Sequence, residues 1–157
     1  MIKYRFITDW SFKTSAEKVW ALAKEPETIM GWWPEIKEIN IIGENKDIVK
    51  GSMIEVVVRG IPCQFKFNLE VTGIDPEREL CLRSTGDLEG YGILTLAEEG
   101  NLTKTKFVWE IGTTSWWANV IGFFLKPLLI WSHNRAMRSG YKAIKNRIEQ
   151  RSKKRAG

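Results

Sequence analysis

Aromatic and polar side chains alternate near the start of the chain. The positions on one side of this alternation are Tyr4, Phe6, Thr8, Trp10 and Phe12, and most residues between them are polar. A period of two residues is typical of a β-strand with two different faces. The segment is therefore predicted to be the first strand, with its aromatic residues on one face.

Two short helical segments are predicted after this strand. Thr14 or Ser15 can cap the first helix, and Pro26, Gly31 and Pro34 delimit the second. Beyond them the chain reads as six more strands separated by short turn signals. These strands are predicted at about 36–43, 51–60, 62–73, 79–86, 90–98 and 102–112.

The hairpin around the turn at 75–78 has a register that can be checked for consistency. If these four residues form the turn, Val71 lies opposite Leu82 on one face, and Glu70 lies opposite Arg83 on the other. The second pair is a favourable cross-strand ion pair. A slip of one residue would turn one strand over, so the agreement of both faces supports this register.

The last predicted hairpin places small residues opposite large ones. Its register sets Leu94 against Phe107 and Gly92 against Trp109, with Gly90 on the same inner face. Glycine in a strand permits a bend or the close approach of another group. The two glycines therefore indicate either small-against-large packing or a bend that leaves room for a cavity.

A long helix is predicted from a cap at Ser115 to about residue 150. Pro127 should kink it near Phe123, because proline removes one backbone donor. Beyond the kink, one stripe recurs at spacings of three and four residues. Its members are Ile130, Asn134, Met137, Tyr141, Ile144 and Ile148.

These elements together predict an α+β fold. We expect a seven-stranded curved antiparallel sheet, two short helices, and a long C-terminal helix that encloses an apolar cavity. One domain is expected over 1–152, followed by a disordered basic tail at 153–157.

Composition narrows the chemistry that this fold can carry. Eight Trp and seven Phe in 157 residues either fill a core or line a site for a bulky apolar ligand. With a single histidine and no Cys/His/carboxylate cluster at ligand spacing, no metal or cofactor is expected. Cys63 and Cys81 are predicted to be free thiols, because the strands place them far apart in register.

Compartment and partners follow from charge and hydropathy. The apolar segment 116–131 is shorter than the ~20 residues that span a bilayer, and it contains Lys126. The N-terminus lacks signal-peptide features, so a cytoplasmic location is expected. The net charge of +5 resides largely near the C-terminus. We expect a monomer or weak dimer, with no nucleic acid partner and with peripheral membrane contact as an open alternative.

Four passages resemble the START-like superfamily, in its polyketide cyclase/dehydrase and lipid transport branch. They are SAEKVW at 15–20, STGDLEGYG at 84–92, TKTKFVWE at 103–110 and HNRAMRSG at 133–140. The resemblance implies the helix-grip fold, with a cavity between sheet and helix for lipids, polyketides or other apolar molecules. It does not imply one activity, because this fold hosts carriers, enzymes and receptors.

Strand parity and the helix stripe give the candidate ligand-binding residues. They are Trp33 at the mouth; Phe65, Phe67, Leu69, Leu82, Leu94, Phe107 and Trp109 from the sheet; and Asn134, Met137 and Tyr141 from the helix. The alternative is that these side chains pack tightly against one another. Asn134 interrupts an apolar stripe, so its amide should be buried against backbone groups or a ligand's polar end.

Three functions remain open, and binding or transport of a small hydrophobic ligand is favoured. A polyketide cyclase/dehydrase-type enzyme is the first alternative, with His133 as candidate acid or base because its ordinary pKa lies near neutrality. Catalysis is disfavoured because His133 and Tyr141 are the only ionisable groups expected inside.

The second alternative is a membrane- or partner-binding module formed by the C-terminal helix and the basic tail. Its apolar contacts would come from Trp116, Trp117, Phe123 and Phe124. We expect these residues instead to pack on the sheet and seal one end of the pocket.

Overall fold

The computed structural model describes residues 2–31, 33–60, 63–114 and 116–156. Its elements, in chain order, are β1 (Lys3–Phe12), α1 (Ala16–Ala23), α2 (Pro26–Ile29), β2 (Ile36–Ile42), β3 (Met53–Arg59), β4 (Gln64–Asp75), β5 (Glu79–Gly86), β6 (Leu88–Glu99), β7 (Leu102–Thr113) and α3 (Trp116–Ala156). Every predicted strand is present, with ends displaced by no more than two residues.

The strands form one antiparallel sheet in the order β1-β7-β6-β5-β4-β3-β2. Both predicted hairpin registers are confirmed: Val71 pairs with Leu82, and Leu94 pairs with Phe107. A β-bulge between Val71 and Gly73 shifts the register by one residue before the turn. Such an extra residue bends the strand, which suits a curved sheet.

The first helix is held at its N-terminus by side chains from two directions. The Ser15 hydroxyl accepts a hydrogen bond from the Lys18 amide at 3.4 Å, as the sequence predicts. The Glu98 carboxylate, from the β6–β7 hairpin, accepts one from the Ala16 amide at 2.6 Å. A negative charge at this end of a helix is stabilising. The contact fixes α1 against one end of the sheet.

The third helix is longer than the sequence suggested. It runs for 41 residues through Pro127 to Ala156, and so includes most of the segment expected to be a disordered tail. Its predicted cap, Ser115, lies outside the described residues. None of the helices, over the residues described, is long and apolar enough to cross a membrane.

The glycine at position 92 serves small-against-large packing. A Cβ there would lie 2.6 Å from Cε3 of Trp109 and 3.0 Å from Cε2 of Phe107. Both rings therefore use the space that a side chain would occupy. Only glycine lets two large aromatic residues of β7 lie flat against β6 at this point.

Candidate ligand-binding site

A cavity of about 410 Å³ lies between the concave face of the sheet and α3. Its walls are almost entirely aromatic and aliphatic. All but two of the predicted site residues line it: Trp33, Phe65, Phe67, Leu69, Leu82, Leu94, Phe107, Trp109 and Met137. The alternation along β4, β5, β6 and β7 thus correctly identified the inward face of each strand.

An aromatic cluster forms one wall of this cavity. The Trp109 ring lies 5.5 Å from that of Phe107 and 6.2 Å from that of Phe67, measured between centroids. Trp109 and Phe67 are buried, whereas Phe107 is half-buried. Such ring pairs contribute stabilising free energy in addition to that from the apolar area they bury. The aromatic wall is therefore stable although it borders a cavity.

The aromatic face of β1 also lines the cavity, although it was not among the predicted site residues. Phe6, Trp10 and Phe12 all contribute. Their alternation was the first pattern in the sequence and identified their shared face. The sequence did not identify the strand that pairs with β1. That strand is β7, the last strand in chain order, and no local turn sets the register of the pair.

Trp33 connects the segment before β2 to the long helix. Its indole Nε1 donates a hydrogen bond to the carbonyl oxygen of Ala136 at 3.0 Å. The ring packs against Gly140, where an added Cβ would lie within 2.7 Å of Cη2. A glycine in mid-helix normally destabilises the helix, but here it makes room for this ring at the cavity wall.

Tyr141 and Asn134 do not line the cavity. Tyr141 packs its ring on Trp10 and Phe12 and donates its hydroxyl to the Ser11 carbonyl oxygen at 3.1 Å. It therefore ties α3 to β1 outside the pocket.

The Asn134 side chain is exposed, so the prediction that its amide is buried is wrong. Consecutive helix positions are 100° apart. His133, one position earlier, lines the cavity instead, because the inward stripe of α3 lies to one side of the predicted one.

His133 contributes a neutral imidazole to the cavity wall. Its ring stacks on Phe6 with a centroid distance of 3.7 Å. Burial lowers its pKa from 6.5 to about 4, and a hydrogen bond from the imidazole to the Asn134 side-chain oxygen, which favours the charged form, opposes this only in part. Its Nδ1 is buried with no hydrogen-bond partner among the described residues. The imidazole is thus uncharged at neutral pH.

Two charged residues lie together at one end of the lining. The backbone N–H of Arg59, at the end of β3, donates to the carbonyl oxygen of Glu35 at 2.7 Å. Both residues line the cavity, and neither was predicted to do so. Arg59 is exposed and Glu35 is half-buried, so this part of the cavity wall adjoins the surface of the protein.

The remaining chemistry of the site is sparse. Cys63 and Cys81 are free, as predicted, and burial raises the pKa of both thiols. Within the described ranges no group of three His, Cys, Asp or Glu residues is arranged to hold a metal ion. The arrangement can enclose an apolar molecule and offers it only a few polar side chains, among them Glu35, Arg59 and His133.

A comparison with protein families matches residues 8–149 to the profile described as polyketide cyclase / dehydrase and lipid transport. The chain belongs to this family. The match covers strands β2 to β7, the second half of β1 and most of α3, and it agrees with the resemblance noted in the sequence. A comparison with curated proteins found no match.

Solved structures with the same fold include an aromatase/cyclase, a norcoclaurine synthase and a START superfamily protein. The Zhui aromatase/cyclase from Streptomyces sp. R1128 superposes with a TM-score of 0.78 at 12% identity, covering 96% of each chain. A START superfamily protein from Mycobacterium smegmatis gives 0.72 at 18%, covering 93% of this chain and 97% of the other. A norcoclaurine synthase point mutant from Thalictrum flavum, in complex with a transition-state analogue, gives 0.66 at 14%, covering 96% and 97%. These structural similarities show that this member of the polyketide cyclase/dehydrase and lipid transport family has the helix-grip fold.

Proposed function

We propose that this protein binds or transports one small hydrophobic molecule, lipid-like or polyketide-like, in the cavity beneath α3. The observation that carries the proposal is an apolar cavity of about 410 Å³ in a chain of only 157 residues. Small-molecule sites commonly measure about 300–1,000 Å³. Interiors are otherwise packed at crystal-like density, so a space of this size calls for an occupant.

The wall chemistry favours a ligand that is mostly carbon. Apolar groups such as Phe65, Leu69 and Leu82 would contribute about 25 cal/mol for each Å² of apolar ligand surface removed from water. An ion placed deep in such a wall would lose its hydration without a partner. The ligand's buried part is therefore neutral.

A polar end of the ligand fits best beside Glu35 and Arg59. These residues lie where the cavity wall adjoins the surface, and Oε2 of Glu35 is buried without a hydrogen-bond partner among the described residues. A hydroxyl on the ligand could donate to that oxygen. This orientation leaves the apolar body of the molecule against the aromatic wall.

Filling the cavity tests the proposal. We expect Leu94→Trp to weaken binding of the neutral aromatic probe 1-aminoanthracene by at least about tenfold, because the larger ring occupies the ligand's space. The probe's own emission, excited outside tryptophan absorption, reports binding. Leu94 lines the cavity, whereas its neighbour Ile93 does not.

Ile93→Trp is the matched control for this experiment. It adds the same ring to the same strand on the opposite face of the sheet, where Ile93 pairs with Val108. We expect a change of less than about twofold with this variant. Equal losses in the two variants, or none in either, would count against a ligand inside the cavity.

An enzyme of the cyclase/dehydrase type is the second candidate. It is favoured by the presence of both Glu35 and His133 in the cavity lining, since proton transfer needs positioned ionisable groups. We place it second because a pKa of about 4 makes His133 a weak base at neutral pH. Turnover of a poly-β-keto substrate that disappears in His133→Ala would reverse this order.

A further inference from the structure

The outward face of α3 begins with an exposed apolar stripe. Trp116, Val120, Phe124 and Trp131 are exposed by 76%, 75%, 80% and 46%. Their spacing in steps of three and four residues, through Pro127, places them along one side of the helix. The expectation that Trp116 and Phe124 pack on the sheet is therefore wrong. The side chains of Trp117 and Phe123 lie outside the described residues.

The same line of the helix continues as cations. Arg135, Arg138, Lys142 and Lys145 follow Trp131 at the same three- and four-residue steps, and all four are exposed. None of them forms a salt bridge within the part of the chain that the structure describes. The Arg135 guanidinium lies 5.5 Å from the centroid of the Trp131 ring, where the two halves of the stripe meet.

Positive charge is concentrated in this helix, and the rest of the chain has a net negative charge. The α3 segment holds ten of the 24 Lys and Arg residues and one of the 19 Asp and Glu residues. Its formal charge is therefore +9, and that of the remaining chain is −4. An extended negative surface would attract α3 and repel the other side, which fixes the orientation of approach.

We propose that this stripe of α3 docks the protein on the surface of an anionic lipid bilayer. Trp and other apolar side chains partition into the interfacial region, while Arg and Lys pair with anionic headgroups. A helix that combines both along one line lies in the plane of the interface. It does not cross the membrane.

Other occupants fit the stripe less well. A second copy of the chain would place two strongly positive helices face to face, which is unfavourable in a symmetric dimer. Single-stranded nucleic acid sites mix aromatic residues with cations along one groove. Here the stripe positions from Trp116 to Trp131 carry no charge.

Docking would bring the ligand cavity to the membrane. The opposite side of the same helix lines the cavity through Leu129, His133 and Met137. The helix then separates the bilayer surface from the pocket by its own thickness, about 10 Å. This inference does not depend on the proposed ligand, since the stripe and the cavity use different side chains.

Vesicle flotation of the full chain tests the docking surface. We expect at least about tenfold stronger binding to vesicles of equal parts phosphatidylcholine and phosphatidylglycerol than to phosphatidylcholine alone, with the difference lost at high salt. Trp116→Ala with Phe124→Ala, and separately glutamine at the four cations of the stripe, should each reduce binding by about tenfold or more.

Matched variants control for loss of apolar or charged surface in general. Ile7→Ala with Ile42→Ala removes two other exposed apolar side chains, each 54% exposed. Glutamine at four exposed lysines elsewhere makes the same change in net charge; these are Lys3, Lys13, Lys37 and Lys50. Both controls should bind vesicles like the unaltered chain, and circular dichroism checks that every variant is folded.

Three results would overturn the proposal. The first is equal binding to both kinds of vesicle, and the second is equal loss in the stripe variants and their controls. The third is occupation of the stripe by something else. Sedimentation velocity would then show a dimer, or the chain would bind poly(U) RNA. In either case the stripe variants would abolish that association, and the unaltered chain would not bind vesicles.

Discussion

Alanine in place of Gly90 is expected to lower the free energy of unfolding by at least about 3 kcal/mol, among the larger effects of a single substitution. Gly90 has a φ of +153° and lies opposite Ile111 in the β6–β7 pairing. An added Cβ would overlap the carbonyl oxygen of Glu110 and lie 2.9 Å from Cα of Ile111. These are backbone atoms of the neighbouring strand, so they can move only if the pairing of β6 with β7 is disturbed.

Urea unfolding followed by far-ultraviolet circular dichroism measures this effect. Gly100→Ala is the control, because Gly100 also has a positive φ, +63°, but an added Cβ would meet nothing within 4 Å. It should destabilise the chain by only about 1–2 kcal/mol, the strain of a left-handed backbone. If the two variants were equally stable, close approach between β6 and β7 would not be the reason for glycine at position 90.

Acid is expected to remove about 3 kcal/mol of stability through His133 alone. Its pKa is about 4 in the folded chain and 6.5 when unperturbed, because burial disfavours the charged imidazole. The unfolded chain therefore takes up this proton at a higher pH than the folded chain. The free energy of unfolding should fall as the pH decreases from about 6.5 to about 4, and this contribution should be constant above and below that window.

The histidine contribution is isolated by comparing two pH profiles of urea unfolding. His133→Gln keeps a polar side chain of similar reach but cannot titrate, so its stability should fall less steeply between pH 6.5 and pH 4. Carboxylates such as Glu27, whose pKa is lowered by a hydrogen bond from the Ile41 amide, contribute equally to both profiles. Parallel profiles would mean that His133 is protonated in the folded chain as readily as in the unfolded one.

The sheet could be predicted closely from the sequence because strand alternation is a local signal. Once the turn at 75–78 was identified, the pairings of Val71 and Glu70 followed from counting, and both are present. The side-chain parity of β4 to β7 then gave the inward residues correctly. The pairing of β1 with β7 joins the first and the last strand in chain order, and no short turn sets its register.

The long helix was harder because most of its sides carry apolar residues in the first half. Over Trp116 to Trp131 only Asn119 and Lys126 are polar, so the sequence did not separate the exposed apolar stripe from the buried one. Further along, Asn134 and His133 are adjacent, and either could interrupt an inward stripe. The structure decides between them through the stacking of His133 on Phe6, a contact with a strand more than a hundred residues away.

The two charged residues of the cavity wall were also not predicted, because they come from separate segments of the chain. Glu35 precedes β2 and Arg59 ends β3, and they meet only because these strands pair. Neither residue belongs to a recognisable motif. The sequence predicted a ligand oriented by the helix, whereas we propose one with its polar end beside Glu35 and Arg59, next to the paired strands β2 and β3.

The most direct test of the cavity's role is native mass spectrometry of the protein purified from its own host. The account predicts a species heavier than the bare chain by the mass of one small, mostly apolar molecule, released on denaturation and absent from Leu94→Trp. Recovery of only the bare chain from the unaltered protein, or of the same adduct on Leu94→Trp, would contradict it.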